Sequence, residues 1–222
     1  MKLLDAAVAP FKGFQLCLAD RELRALALRP WGLGAVLSLL SLVVGFILLP
    51  DSGFWQIAVL ALLMLVVTLV ITVGGVLILG AYYHSRISFL ILSRAALAKE
   101  ELSLGKEVVR TAVTESLKLL WLVPLYIILL IIGLIPLLTI PAFLLGGLLV
   151  AYQFLDIPLD HLHYGAFSRF GYALKNILGA VVFGGVIILL GTIPFAALFI
   201  APVAVAGASW LIAQAESDKS GA

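Results

Sequence analysis

The chain has 222 residues, of which 64% are hydrophobic and only 12% charged, with 14 Lys and Arg against 12 Asp and Glu. Soluble domains carry about 25% charged residues, so this composition excludes a water-soluble globule and points to an integral membrane protein with a mean hydropathy of +1.22. The single cysteine, Cys17, excludes an internal disulfide and a thiolate metal cluster.

Residues 1–29 mix apolar and charged side chains. Leu3, Leu4, Ala7, Val8, Phe11, Phe14, Gln15 and Leu18 recur at three- and four-residue spacing, interrupted by Pro10 and Gly13. This is the pattern of an amphipathic helix lying along a membrane. Asp5, Lys12, Asp20 and Glu22 break the apolar residues, so a cleaved signal peptide is not expected. Asp20 is placed to cap a second short helix, Arg21 to Arg29, and Pro30 to open the next element. Residues 31–49 then read as a first full transmembrane helix and 54–83, thirty uncharged residues, as a second, joined by the turn Pro50-Asp51-Ser52-Gly53.

Residues 84–118 are the one long polar stretch, with Arg86, Arg94, Lys99, Lys106, Arg110 and Lys118 among Glu100, Glu101, Glu107 and Glu115. They read as cytoplasmic helices broken near Ser103-Leu104-Gly105, the charges forming a solvated face. Leu119 to Leu155 follows, thirty-seven residues without a charge. Gly133, Pro136 and Pro141 divide it into two arms of about 25 and 21 Å, short against a hydrocarbon core of about 30 Å. Residues 119–155 are thus a first hairpin, 156–175 a polar connector, 176–215 a second hairpin and 216–222 a loose tail; the hairpins either penetrate the bilayer halfway or, if all four arms cross fully, add to the first two spans to make six ordinary ones. The hairpins resemble each other. Ile132-Gly133-Leu134-Ile135-Pro136 matches Leu190-Gly191-Thr192-Ile193-Pro194, and Pro141, Gly146 and Gln153 match Pro202, Gly207 and Gln214.

All the basic residues fall before the first span, within 84–118, within 156–175 or in the tail, and none in the turns. The positive-inside rule therefore places both termini and both connectors in the cytoplasm. Turns that stop inside the bilayer cannot leave peptide groups facing lipid. Half-penetrating hairpins thus predict a homo-oligomer, packed through the small faces at Gly146-Gly147, Gly184-Gly185 and Gly207-Ala208.

No Asp, Glu, Lys, Arg or His lies inside an apolar run, which argues against a pump with a midplane carboxylate. No Ser–His–Asp pattern, P-loop or GxGxxG is present, and nothing suggests an enzyme, a cofactor or a nucleic-acid partner. His161-Leu162-His163 has the wrong spacing for a helical metal pair. An anion can be held at a membrane edge by arginines and free N–H groups at a helix N-terminus. Arg21, Arg24 and Arg29 lie where that would occur. Their alternative role is to snorkel to lipid phosphates.

The segment Tyr152-Gln153-Phe154-Leu155-Asp156-Ile157-Pro158-Leu159-Asp160 and the close Thr192-Ile193-Pro194 with Pro202-Val203-Ala204-Val205-Ala206-Gly207-Ala208 resemble the CysZ sulfate-permease family, which shares its domain with etoposide-induced membrane proteins. The resemblance implies an all-α inner-membrane oligomer with two full transmembrane helices, two half-penetrating helical hairpins and interfacial helices. It also implies channel-like sulfate uptake serving cysteine biosynthesis. The family's Gly-(Leu/Ile)-Arg-Arg anion segment is similar to Glu22-Leu23-Arg24-Ala25, which assigns Leu23 and Arg24, with Arg29 nearby, to binding of sulfate or a similar small anion. Glu22 replaces the glycine, and a carboxylate there opposes an anion unless Arg21 or Arg29 draws it away. The competing function is a non-transporting membrane scaffold that uses the charged 84–118 helices to bind partners.

Overall fold

The computed structural model describes residues 1–47, 80–98, 104–193 and 196–220, and every element of regular structure among them is a helix. Helix α1 spans Leu3–Ala19, α2 Arg21–Ile47, α3 residues 80–94, α4 Leu104–Gly133, α5 Thr139–His161, α6 Ala166–Lys175, α7 Ile177–Gly191 and α8 Ala196–Ser220. The chain is an all-α membrane protein. Two helical stretches of the described residues, Pro136–His161 and Phe199–Asp218, are long and apolar enough to cross a bilayer.

At about 100° per residue, α1 divides into three faces. Ala6, Ala9, Pro10, Gly13 and Cys17 form the buried one. Leu3, Leu4, Phe11, Phe14 and Leu18 form an exposed apolar one, and Asp5, Lys12 and Gln15 a polar one. Pro10 forfeits one backbone bond without ending the helix. The buried face of small residues lets α1 lie antiparallel against α8. Lys2 meets Asp218 at 3.1 Å, while a Cβ on Gly13 would stand 2.1 Å from the Val203 carbonyl oxygen and one on Gly207 2.4 Å from that of Ala9. A second close crossing joins α5 to α7, where a Cβ on Gly184 would meet the Gly147 oxygen at 1.8 Å. Gly147, Gly184 and Gly207, expected to offer small faces for helix approach, serve close crossings within one chain. The turn of the first hairpin is a 3-10 turn, Pro136–Leu138. In it Thr139 Oγ1 donates to the Gly133 carbonyl at 2.9 Å. The chain bends by 92° between α6 and α7.

Several expected boundaries move. Pro30 opens nothing, because α2 is continuous from Arg21 to Ile47 with Pro30 in its interior, at the cost of the bond its missing N–H would have given the Leu26 carbonyl. The expected span 31–49 is thus the continuation of α2 as far as Ile47, and most of 54–83 lies outside the described residues. The polar stretch breaks at residues 95–98, where Ala96 takes a φ of 58°. From Leu104 it runs without interruption into the first hairpin arm as α4, since Gly105 sits at the helix start and Pro124 is accommodated within it. The arm 142–155 is likewise only part of α5, which continues through Pro158 to His161. Residues 216–220, expected as loose tail, are the last turns of α8. The end of α8 is held from outside it, Asp218 meeting Lys2 and Glu216 accepting from the Tyr164 hydroxyl.

Candidate functional site

The start of α2 is built around Asp20. Its Oδ1 accepts the backbone N–H of Glu22 at 2.8 Å and that of Leu23 at 3.1 Å, and its carbonyl accepts that of Arg24 at 2.9 Å. This is the N-cap foreseen in the sequence. It also means that these three amides are already committed, so they are not open donors for an anion. Oδ2 takes the guanidinium of Arg94, from the end of α3. Arg94, and after it the Leu23 amide, hold the Asp20 carboxyl below its ordinary value. The second terminal nitrogen of Arg94 lies 3.7 Å from Glu22 Oε2. Glu22 is drawn aside by Arg94, not by Arg21 or Arg29.

Glu22, Ala25, Leu26 and Arg29 recur at helical spacing on one face of α2, and Tyr82, Arg86 and Leu90 do the same on α3. Together they line a pocket of about 160 Å³ between the two helices. Arg29 and Arg86 bring two guanidinium groups to it, Tyr82 a hydroxyl, and Leu26 and Leu90 an apolar wall. Arg86 also lies over the Phe89 ring, 5.7 Å from its centroid. Two guanidinium forks at one cavity suit an oxyanion, because their N–H groups match its oxygens in charge and geometry.

Of the three residues assigned to the anion from the sequence, Arg29 alone lines this pocket. Leu23 is fully buried in the core, where its side chain packs and cannot meet a solute. Arg24 is exposed but lies on another face of α2. Arg86 was missed. Its spacing from Tyr82 and Leu90 was visible, but no local rule says that α3 faces α2.

A second charged cluster is buried where α4, α5 and α6 meet. Lys118 Nζ lies 2.7 Å from Asp156 Oδ2, and Arg169 Nη1 lies 3.1 Å from Asp156 Oδ1 and 3.2 Å from Asp160 Oδ1. Lys118, Asp156 and Arg169 are each at most 10% exposed at the side chain. Tyr152 closes the cluster between Trp121 and Phe170, at centroid distances of 5.8 and 5.3 Å. Tyr152, Asp156 and Asp160 share one face of α5 at four-residue spacing, so the segment read as a connector is a helix end tied to its neighbours. Its charges balance, and its two carboxylates repel anions, so it is a joint and not a substrate site. His161 extends the joint to α3, its Nε2 lying 3.0 Å from the Ser85 carbonyl oxygen. His163, two residues on, is exposed with a φ of 62°.

The family model described as sulfate transporter CysZ/etoposide-induced protein 2.4 matches residues 9–202. The sulfate transporter CysZ of Pectobacterium atrosepticum is 34% identical over 116 residues, covering 50% of this chain and 42% of that protein. The sulfate transporter CysZ of Pseudomonas aeruginosa is 30% identical over 115 residues, covering 50% and 47%. The match thus spans a little under half the length of these curated relatives.

Proposed function

The chain belongs to the sulfate transporter CysZ/etoposide-induced protein 2.4 family, and on that footing we propose that it is a channel-like permease for small oxyanions, sulfate first among them. The observation that carries this reading is the convergence of Arg29 and Arg86 on one pocket. The pocket takes the ion at the charged border of the apolar helices, and the lack of charge inside the apolar runs favours a passive path. The protein acts in the inner membrane with both termini in the cytoplasm, as the distribution of basic residues favours. It works as a homo-oligomer. Leu134, Leu137 and Ile140 stand exposed around the first hairpin turn, and a turn within hydrocarbon needs protein cover for its peptide groups.

The test is uptake of radiolabelled sulfate into proteoliposomes, beside protein-free vesicles and the variants Arg29→Gln, Arg86→Gln and Arg24→Gln. A charge-assisted hydrogen bond contributes about 1.5–3 kcal/mol, so Arg29→Gln and Arg86→Gln should each lower the apparent affinity about ten-fold or more. Loss at Arg24 alone would move the site to the other face of α2. No uptake above protein-free vesicles would favour the non-transporting scaffold.

A further inference from the structure

Glu22 places a carboxylate at a pocket that otherwise offers two guanidinium groups. On the oxyanion reading of that pocket, this is a fixed competitor for the substrate. The carboxylate is not left to fold inward. Arg94 reaches it at 3.7 Å, and Arg94 is itself anchored on Asp20, the cap of α2. The cap, the arginine and the carboxylate form one chain of contacts from the α3 end to the pocket mouth.

We propose that Glu22, positioned by Arg94, sets the charge selectivity of the pocket. The energy of an ion in a fixed field scales with the ion's charge, so a neighbouring carboxylate acts twice as strongly on a dianion as on a monoanion. For a separation on the order of 6 Å in a water-like dielectric, one carboxylate weakens a monoanion about three-fold and a dianion about ten-fold. Glu22 thereby narrows the preference for sulfate-like dianions over chloride-like monoanions that two arginines alone would give. Arg94 limits this effect by holding the carboxylate outward. Without it, Glu22 is free to turn toward Arg29 and Arg86 and occupy the substrate's place.

The test measures half-saturating sulfate and the inhibition constant of chloride in proteoliposomes. It compares the full chain with Glu22→Gln, Arg94→Gln and the double variant, each checked by size exclusion. The side chains of Glu22 and Arg94 are 62% and 48% exposed, so neither change removes core packing. Glu22→Gln should tighten sulfate about ten-fold and chloride about three-fold. Arg94→Gln should weaken sulfate, and by less when Glu22 is already neutral. Equal gains for both ions on Glu22→Gln, or no gain, overturn the proposal while leaving the permease intact. So does an Arg94→Gln loss that is the same with and without Glu22, since Arg94 would then act through the cap or by its own charge. Absence of sulfate uptake in all four proteins, with Arg29 and Arg86 in place, refutes the oxyanion reading itself, and this proposal with it.

Discussion

Asp156 is the most sensitive charged position among the described residues. Asparagine there keeps the volume but removes the carboxylate that lies 2.7 Å from Lys118 and 3.1 Å from Arg169. Both cations stay buried, and removing one partner from a buried pair costs about 3–5 kcal/mol because the remaining charge is left desolvated. Arg169 retains Asp160 at 3.2 Å, so the lower part of that range applies to it. Asp160→Asn is the control. Its side chain is 32% exposed, water replaces what is lost, and about 1 kcal/mol or less is expected. For a chain of this size each kcal/mol moves a melting midpoint by about 2–4 °C, so Asp156→Asn should melt about 10 °C lower than the unaltered protein and Asp160→Asn within about 4 °C of it. Tryptophan fluorescence in detergent reads this directly, because Trp121 stands beside Tyr152 at the cluster. Adding Lys118→Met to Asp156→Asn should restore part of the loss, since it removes a buried cation that has lost one of its carboxylates. Equal shifts for Asp156→Asn and Asp160→Asn, or no recovery in the double variant, would refute the account of the cluster as a desolvated joint.

Two further outcomes follow from packing and capping. Gly184→Ala drives a Cβ to within 1.8 Å of a backbone oxygen of α5. It should cost at least about 1–3 kcal/mol, whereas Gly146→Ala, with 3.9 Å to the nearest side chain, should be near neutral; both are read by the same melting assay. Asp20→Ala should cost about 1 kcal/mol through the lost cap. The Asp20 carboxyl is held below the ordinary aspartate value of 3.8, so its stabilisation is complete above that pH and disappears as pH falls through the lower folded-state value. The gap in midpoint between the protein and Asp20→Ala should therefore close on acidification below about pH 3.8, and a gap that persists or widens there would contradict the cap.

What the sequence carried well was local. Asp20 was legible as a cap because cap chemistry is decided within three residues. The proline turn of the first hairpin was legible because Gly133 and Pro136 act on their own backbone. The failures were also physical. Pro30 reads as a start, but it lies in the interior of α2, which runs through it without ending. Gly147, Gly184 and Gly207 were visible as small faces, and Gly13 only as an interruption of the α1 pattern; small faces do not name their partners, and these meet within the chain. Lys118, Asp156 and Arg169 lie on three different helices, and Arg29 and Arg86 on two. Ion pairs and pockets assembled at such sequence separations leave no periodic mark. Of the residues assigned to an anion, Arg29 lines the pocket between α2 and α3, while Leu23 is buried and Arg24 lies on another face of α2; which face a helical side chain presents follows from its neighbours and not from a local motif.

The packing of α1 on α8 also decides how deep α8 can sit. The two helices run antiparallel from the Lys2–Asp218 contact to the Gly13–Val203 approach, so whatever path α8 takes through the membrane α1 takes beside it. Lys12 projects from the middle of α1 and is exposed. A pair drawn straight across the bilayer would put that ammonium near its centre, at about 2.5–3.5 kcal/mol on insertion scales. A pair lying in the boundary region sets Lys12, Asp5 and Gln15 toward water and Phe11, Phe14 and Leu18 toward acyl chains, which is how the three faces of α1 are arranged. Length and apolarity alone therefore do not make Phe199–Asp218 a crossing helix. Cysteine reactivity distinguishes the two dispositions. Cys17 is a silent background, because burial, and then the neighbouring Asp20, push its thiol up to about 11. In proteoliposomes Lys12→Cys should react with a charged maleimide, which needs an ionised thiol in water, and Phe14→Cys should not. Protection of Lys12→Cys to the level of Phe14→Cys would place α1 in the hydrocarbon and make α8 a full span.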